Sequence, residues 1–105
     1  MDQENIFITG STGFIGRYLL DQLLERYPNA RFCLVTRDRR RVPYQREQIQ
    51  IIESALAHPE KYESALLKAR YVFHLAANAS LTGKAAEMQE NITSTRHIIR
   101  ILEQS

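Results

Sequence analysis

An α/β fold, half of a doubly wound parallel sheet, is predicted by three features of this 105-residue chain. Short apolar runs alternate with stretches whose apolar residues recur every three or four positions, the pattern of βαβ units. The first run is nearly all apolar, as when helices cover both faces of a sheet. It leads into Ile8-Thr9-Gly10-Ser11-Thr12-Gly13-Phe14-Ile15-Gly16, where three glycines stand three apart between a strand and a helix.

Taken in order, residues 5–9 form the first strand, which glycine ends. From Phe14 the apolar residues Ile15, Leu19, Leu20, Leu23 and Leu24 keep helical spacing, and the helix stops where Pro28 disfavours a helical Tyr27. Residues 31–36 ("RFCLVT") form the second strand and residues 48–52 ("QIQII") a shorter third, separated by a basic loop. His58-Pro59-Glu60 has proline in the first turn of a second helix, with Tyr62, Ala65, Leu66 and Ala69 on one face. The run "YVFHLAA" from Tyr71 is the fourth strand. Ala85, Met88, Ile92, Thr95, Ile99 and Leu102 then step along an amphipathic C-terminal helix. Right-handed crossovers put the first three strands side by side and the fourth beyond the first, in the order 3-2-1-4 with flanking helices. Ligands of such sheets bind at the strands' carboxyl ends, at the switch point between strands one and four.

Composition narrows the function classes. Residues 1–105 suit one small domain with a modest core. The hydrophobic share of 44% with 25% charged residues is ordinary for a globular chain, and no apolar stretch is long enough to span a bilayer. The start, Met-Asp-Gln-Glu-Asn, is acidic and polar, unlike a secretory signal, so a cytoplasmic location is expected. The single cysteine, Cys33, lies in an apolar stretch and reads as a buried small hydrophobe. His58, His74 and His97 have no metal-site spacing, His74 reading as a packed core histidine, and no serine sits in a nucleophile elbow. The Arg37-Asp38-Arg39-Arg40-Arg41 run lacks interleaved aromatics and the pI is only 8.9, so nucleic acid is not expected as a partner.

The glycine turn has a specific physical reading. Gly10 allows the tight turn, Gly13 the close approach of backbone to a pyrophosphate, and Gly16 the packing of helix on strand. The amides and dipole of the helix N-terminus favour the negative charge, and Ser11 and Thr12 add hydroxyl donors. A P-loop is excluded, because Thr82-Gly83-Lys84-Ala85 lacks the leading glycine and the hydroxyl after lysine. A Rossmann-like, dinucleotide-binding domain follows. At the end of strand two, NAD-binding proteins usually carry an acidic acceptor for the ribose 2′-hydroxyl. Here Thr36 is followed by Arg37, whose planar donors suit a 2′-phosphate, so NADP is expected ahead of NAD.

These motifs, "TGSTGFIG", the Thr-Arg pair, "VFHLAA" at 72–77 and "NITSTRHIIRIL" from Asn91, resemble the extended short-chain dehydrogenase/reductase family over residues 5–104. That family includes NAD(P)-dependent sugar epimerases, dehydratases and thioester or fatty-acyl reductase domains, and "LVTR" resembles the reductase branch. The resemblance implies that Thr9, Gly10, Ser11, Thr12, Gly13, Phe14, Ile15 and Gly16 hold the pyrophosphate. It also implies that Ala76 and Ala77 line the channel toward the nicotinamide ribose and that Asn91 supports the active site.

Two departures from the family stand out. Its usual Gly-Asp-Leu after strand three, whose aspartate accepts from the adenine amino group, is replaced by Ser54-Ala55-Leu56; Leu56 keeps its place among the cofactor-lining residues, and weaker adenine binding is expected. The Tyr-x-x-x-Lys pair is missing: Tyr18, Tyr27, Tyr44, Tyr62 and Tyr71 are followed four positions on by Gln22, Arg31, Gln48, Leu66 and Leu75. A phenol with a pKa of ~10 needs a neighbouring lysine charge to exchange protons at neutral pH. No catalytic residue is therefore assigned, and the 105 residues are not expected to be catalytically competent alone. The stripe of Met88, Ile92, Ile99 and Leu102 beside an open sheet edge predicts a homo-oligomer. A non-enzymatic oligomeric module retaining the fold is the alternative, distinguished by failure to bind any dinucleotide.

Overall fold

Four parallel strands make up the sheet of the computed structural model, which describes residues 4–43, 46–75 and 96–101. In chain order these are β1 (Asn5–Thr9), α1 (Phe14–Arg26), β2 (Arg31–Thr36), β3 (Ile49–Glu53), α2 (Glu63–Lys68) and β4 (Tyr71–His74), followed by helical residues 96–101. The strand order is β3-β2-β1-β4, as predicted, so β1 pairs with both β2 and β4.

Alternation along each strand sorts the core into two layers. Ile6, Ile8, Phe32 and Leu34 point to one face and pack on Leu20, Leu23 and Leu24 of α1. Phe7 and Val35 point to the other and pack with Tyr62, Leu66, Ile98 and Ile101. This double cover explains why β1 carries apolar residues at consecutive positions. The helical residues 96–101 turn Ile98 and Ile101 to the sheet and leave Ile99 half exposed. Of the predicted apolar stripe, Ile99 thus lies on the side away from the core. Met88, Ile92 and Leu102 lie outside the described residues.

Boundaries differ from expectation in places with physical causes. β3 starts one residue late because Gln48 belongs to a turn, where its side-chain amide donates to the Ala30 carbonyl at 3.1 Å. The second helix is divided into a 3-10 turn, Pro59–Lys61, and α2. Tyr62 sits between them at φ −124°, ψ 0°, outside helical geometry. Its ring stacks on Phe7 with centroids 6.0 Å apart, and its hydroxyl donates to the Leu56 carbonyl at 2.7 Å. Packing of this side chain overrides the local helical pattern. β4 closes at His74, although the Leu75 amide still donates to the Thr9 carbonyl at 3.0 Å.

Candidate cofactor site

The carboxyl ends of all four strands lie along one edge. Thr9 is in register with Val35 and His74, and Thr36 with Glu53. The glycine turn, Arg37, Ser54-Ala55-Leu56 and Leu75 therefore leave the sheet on the same side, around the β1/β4 switch point. Ala76, Ala77 and Asn91 lie outside the described residues. A cavity of about 880 Å³ opens at the opposite edge, with Asn5, Arg31, Gln48 and Lys68 in its lining, away from these elements.

In the glycine turn, each glycine meets a different demand. Gly10 has φ 78°, the left-handed region that side chains disfavour. Its carbonyl accepts from the Gly13 amide at 3.2 Å, closing a tight turn over Ser11 and Thr12. A Cβ on Gly16 would overlap the Gly10 carbonyl oxygen and lie 2.9 Å from Ser11 Cα, so helix and turn touch backbone to backbone. Gly13 has room for a Cβ, whose nearest neighbour would be 3.5 Å away, and it is exposed.

The residues present fit an anion. α1 begins with no side-chain cap on its N-terminus and no acidic residue in its first turn. Those first amides have no partner within the helix. Ser11 Oγ is buried and has no hydrogen-bond partner among the described residues. An orphaned buried hydroxyl is costly unless something completes it, and a diphosphate bound at the turn would. Phe14 and Ile15 are exposed on the outer side of the turn, and Thr12 is half-buried.

Behind the turn, the Thr9 hydroxyl and His74 Nδ1 lie 2.6 Å apart, tying the ends of β1 and β4 together. Burial pushes His74 below the ordinary imidazole value, so the neutral ring is favoured. The sequence marks this histidine only as a packing residue; the register of β1 against β4 gives it a partner. Burial likewise raises the Cys33 thiol to about 11, in keeping with an unreactive side chain.

Arg37 follows the last residue of β2 and is exposed. The other arginines of the run are engaged differently. Asp38 caps the 3-10 turn Arg39–Arg41 by accepting from the Arg40 amide, and it holds the Arg40 guanidinium through Nε and Nη2, all at 3.0 Å. That hydrogen-bonded guanidinium holds the Asp38 carboxyl below its usual range. The Arg39 amide donates to Glu53 Oε2 at 2.9 Å and its guanidinium to the Ile51 carbonyl at 3.4 Å. Asp38 and Glu53 thus belong to this edge, although the sequence shows only a basic run. Ser54 is buried, with its hydroxyl donating to the Ala55 carbonyl at 2.8 Å, and Leu56 is half-buried against the Phe7 layer. No group of three or more metal-ligating side chains occurs among the described residues. Within the same residues, no helix is long and apolar enough to cross a membrane.

The model of the NAD dependent epimerase/dehydratase family matches residues 6–105. The chain belongs to that family. Fatty acyl-CoA reductase 1 of Homo sapiens is 27% identical over 131 residues, spanning 96% of this chain and 25% of the reductase. The hybrid PKS-NRPS synthetase fsa1 of a Fusarium species is 28% identical over 111 residues, spanning 96% of this chain and 3% of the synthetase. The chain thus corresponds to a quarter or less of these relatives' length. Among solved structures, UDP-glucose 4-epimerase of Thermotoga maritima, with UDP-glucose, is 26% identical at a TM-score of 0.71, over 92% of this chain and 33% of the epimerase. WbmG of Bordetella bronchiseptica, in complex with NAD, has a TM-score of 0.80 at 20% identity, over 98% of this chain and 34% of its own. The second likeness shows the fold.

Proposed function

We propose that this chain is the NADP-binding portion of a reductase-type member of its family. The glycine turn and the start of α1 hold the diphosphate and Arg37 meets the adenosine 2′-phosphate; the family resemblance assigns Ala76 and Ala77 to the channel toward the nicotinamide ribose and Asn91 to support of the active site. A bound nicotinamide supplies hydride chemistry; the 105 residues contribute binding and orientation, and without a Tyr-x-x-x-Lys pair they do not turn over a substrate alone. The reductase leaning draws support from fatty acyl-CoA reductase 1. Association through the face carrying Ile99 and the side of β4 that is unpaired among the described residues belongs to the same reading.

The observation that carries the proposal is an exposed arginine leaving β2 at the edge where an uncapped helix and an orphaned Ser11 hydroxyl await an anion. Titration calorimetry with NADPH and NADH tests it. Charge-assisted bonds to the extra phosphate are worth a preference of about tenfold or more for NADPH, and Arg37→Glu removes that preference. Equal affinities in the native protein, or no heat with either coenzyme, would overturn it.

A further inference from the structure

We propose that the Arg40–Asp38 ion pair is a coenzyme-selectivity lock, in which Arg40 acts without touching the coenzyme by occupying a carboxylate that would otherwise favour NADH. The inference rests on the binding reading above and adds a residue that reading does not use.

Asp38 is held at the sheet edge. The Asp38 amide donates to the Thr36 hydroxyl and that hydroxyl donates to the Asp38 carbonyl, both at 3.3 Å, folding residue 38 against the last residue of β2. A carboxylate just past this strand is the group that accepts a ribose 2′-hydroxyl in NAD-binding sheets, and its charge opposes a 2′-phosphate. In this chain both of its oxygens are taken. Oδ1 accepts from the Arg40 amide and Nε, and Oδ2 from Nη2. A fork of two parallel bonds with full charge neutralisation is the strongest arrangement an arginine offers a carboxylate. The Arg40 side chain is 88% exposed, so it contributes little to packing, and the pair is its described engagement.

Charge at this edge makes the neutralisation matter. Glu53, at the end of β3, is a second carboxylate there and is bound through the Arg39 amide, a donor that brings no positive charge. With Arg40 in place the Asp38 charge is balanced by its forked partner, with a weaker attraction from Arg41, and an incoming phosphate meets less opposing negative charge. Without Arg40, Asp38 loses its forked partner and keeps only the weaker pull of Arg41, while Glu53 loses the attraction of the Arg40 cation. The loop itself survives this change, because the cap uses the backbone amide of residue 40 and not its side chain.

Fluorescence titration of the full chain with NADPH and NADH separates the roles. Arg40→Ala lowers NADPH affinity by about tenfold and raises NADH affinity, the effect shrinking at high salt. Arg40→Ala combined with Asp38→Asn restores NADPH binding to near the native value. The thermal midpoint of the uncomplexed protein stays unchanged in both, which excludes misfolding as the cause. If the double variant remains as weak as Arg40→Ala, Arg40 contacts the phosphate directly and the lock is wrong. An unchanged NADPH-to-NADH ratio in Arg40→Ala also overturns it. Should either result accompany a native preference for NADPH that Arg37→Glu abolishes, the lock alone fails and the binding reading stands; a native protein that binds neither coenzyme removes both.

Discussion

At the scale of single residues, the glycine turn makes the sharpest demands. Gly16→Ala places a methyl group into the Gly10 carbonyl, and overpacking of this kind costs about 1–3 kcal/mol, which urea denaturation of the uncomplexed protein measures. The three-apart spacing marked this glycine in the sequence as the place where helix and strand meet. His74 was less legible, because its partner Thr9 is remote in sequence and only strand pairing joins them. Its lowered pKa has a definite sign. The folded protein prefers the neutral ring, so below the free imidazole value the unfolded chain binds more protons. Stability from this residue is therefore complete above about pH 7.5 and declines as pH falls through about 6.5. Denaturation midpoints at about pH 8 and 5.5 should differ less in His74→Asn than in the native protein. An equal difference in both would assign the decline to other groups.

At the scale of elements, α1 is the instructive case. Its sequence announced both ends, through the glycines before it and Pro28 after it, and the helix spans Phe14–Arg26. Its start lacks the cap that helices ordinarily carry, with Gly13 at φ −77°, ψ 170°, an extended geometry any residue adopts. An aspartate there would cap the first turn and complement its dipole. Gly13→Asp should raise the stability of the uncomplexed protein by about 0.5 kcal/mol, while the added carboxylate abolishes dinucleotide binding. Both are measured on one sample, by thermal denaturation and by calorimetry. A stabilised variant that still binds would place the diphosphate elsewhere. The divided second helix was not legible, because a single side chain, Tyr62, leaves helical geometry to reach Phe7 and Leu56, and no local pattern encodes those partners.

At the scale of the whole molecule, strand order and the gathering of the glycine turn, Arg37 and Leu56 at one edge were legible, since crossover rules and the alternation of elements leave few arrangements. The charge arrangement around Arg37 was not, because a run of arginines looks alike whether each faces solvent or is tied to a carboxylate. The exposed side of Ile99 and the free edge of β4 among the described residues predict self-association. Sedimentation at micromolar concentration should give a dimer or larger, and Ile99→Glu should shift it toward monomer; a native monomer contradicts the prediction. The segment between Thr36 and Ile49 contains one 3-10 turn and no α-helix among the described residues, so Ile49 and Ile51 of β3 are only partly covered. Such a border strand opens more readily than the centre of the sheet. Because Glu53 on that strand steadies the arginine loop through the Arg39 amide, each fraying of β3 loosens the groups at the proposed nucleotide site. Occupancy of the site and protection of the β3 amides from solvent hydrogen exchange are then two readings of one equilibrium.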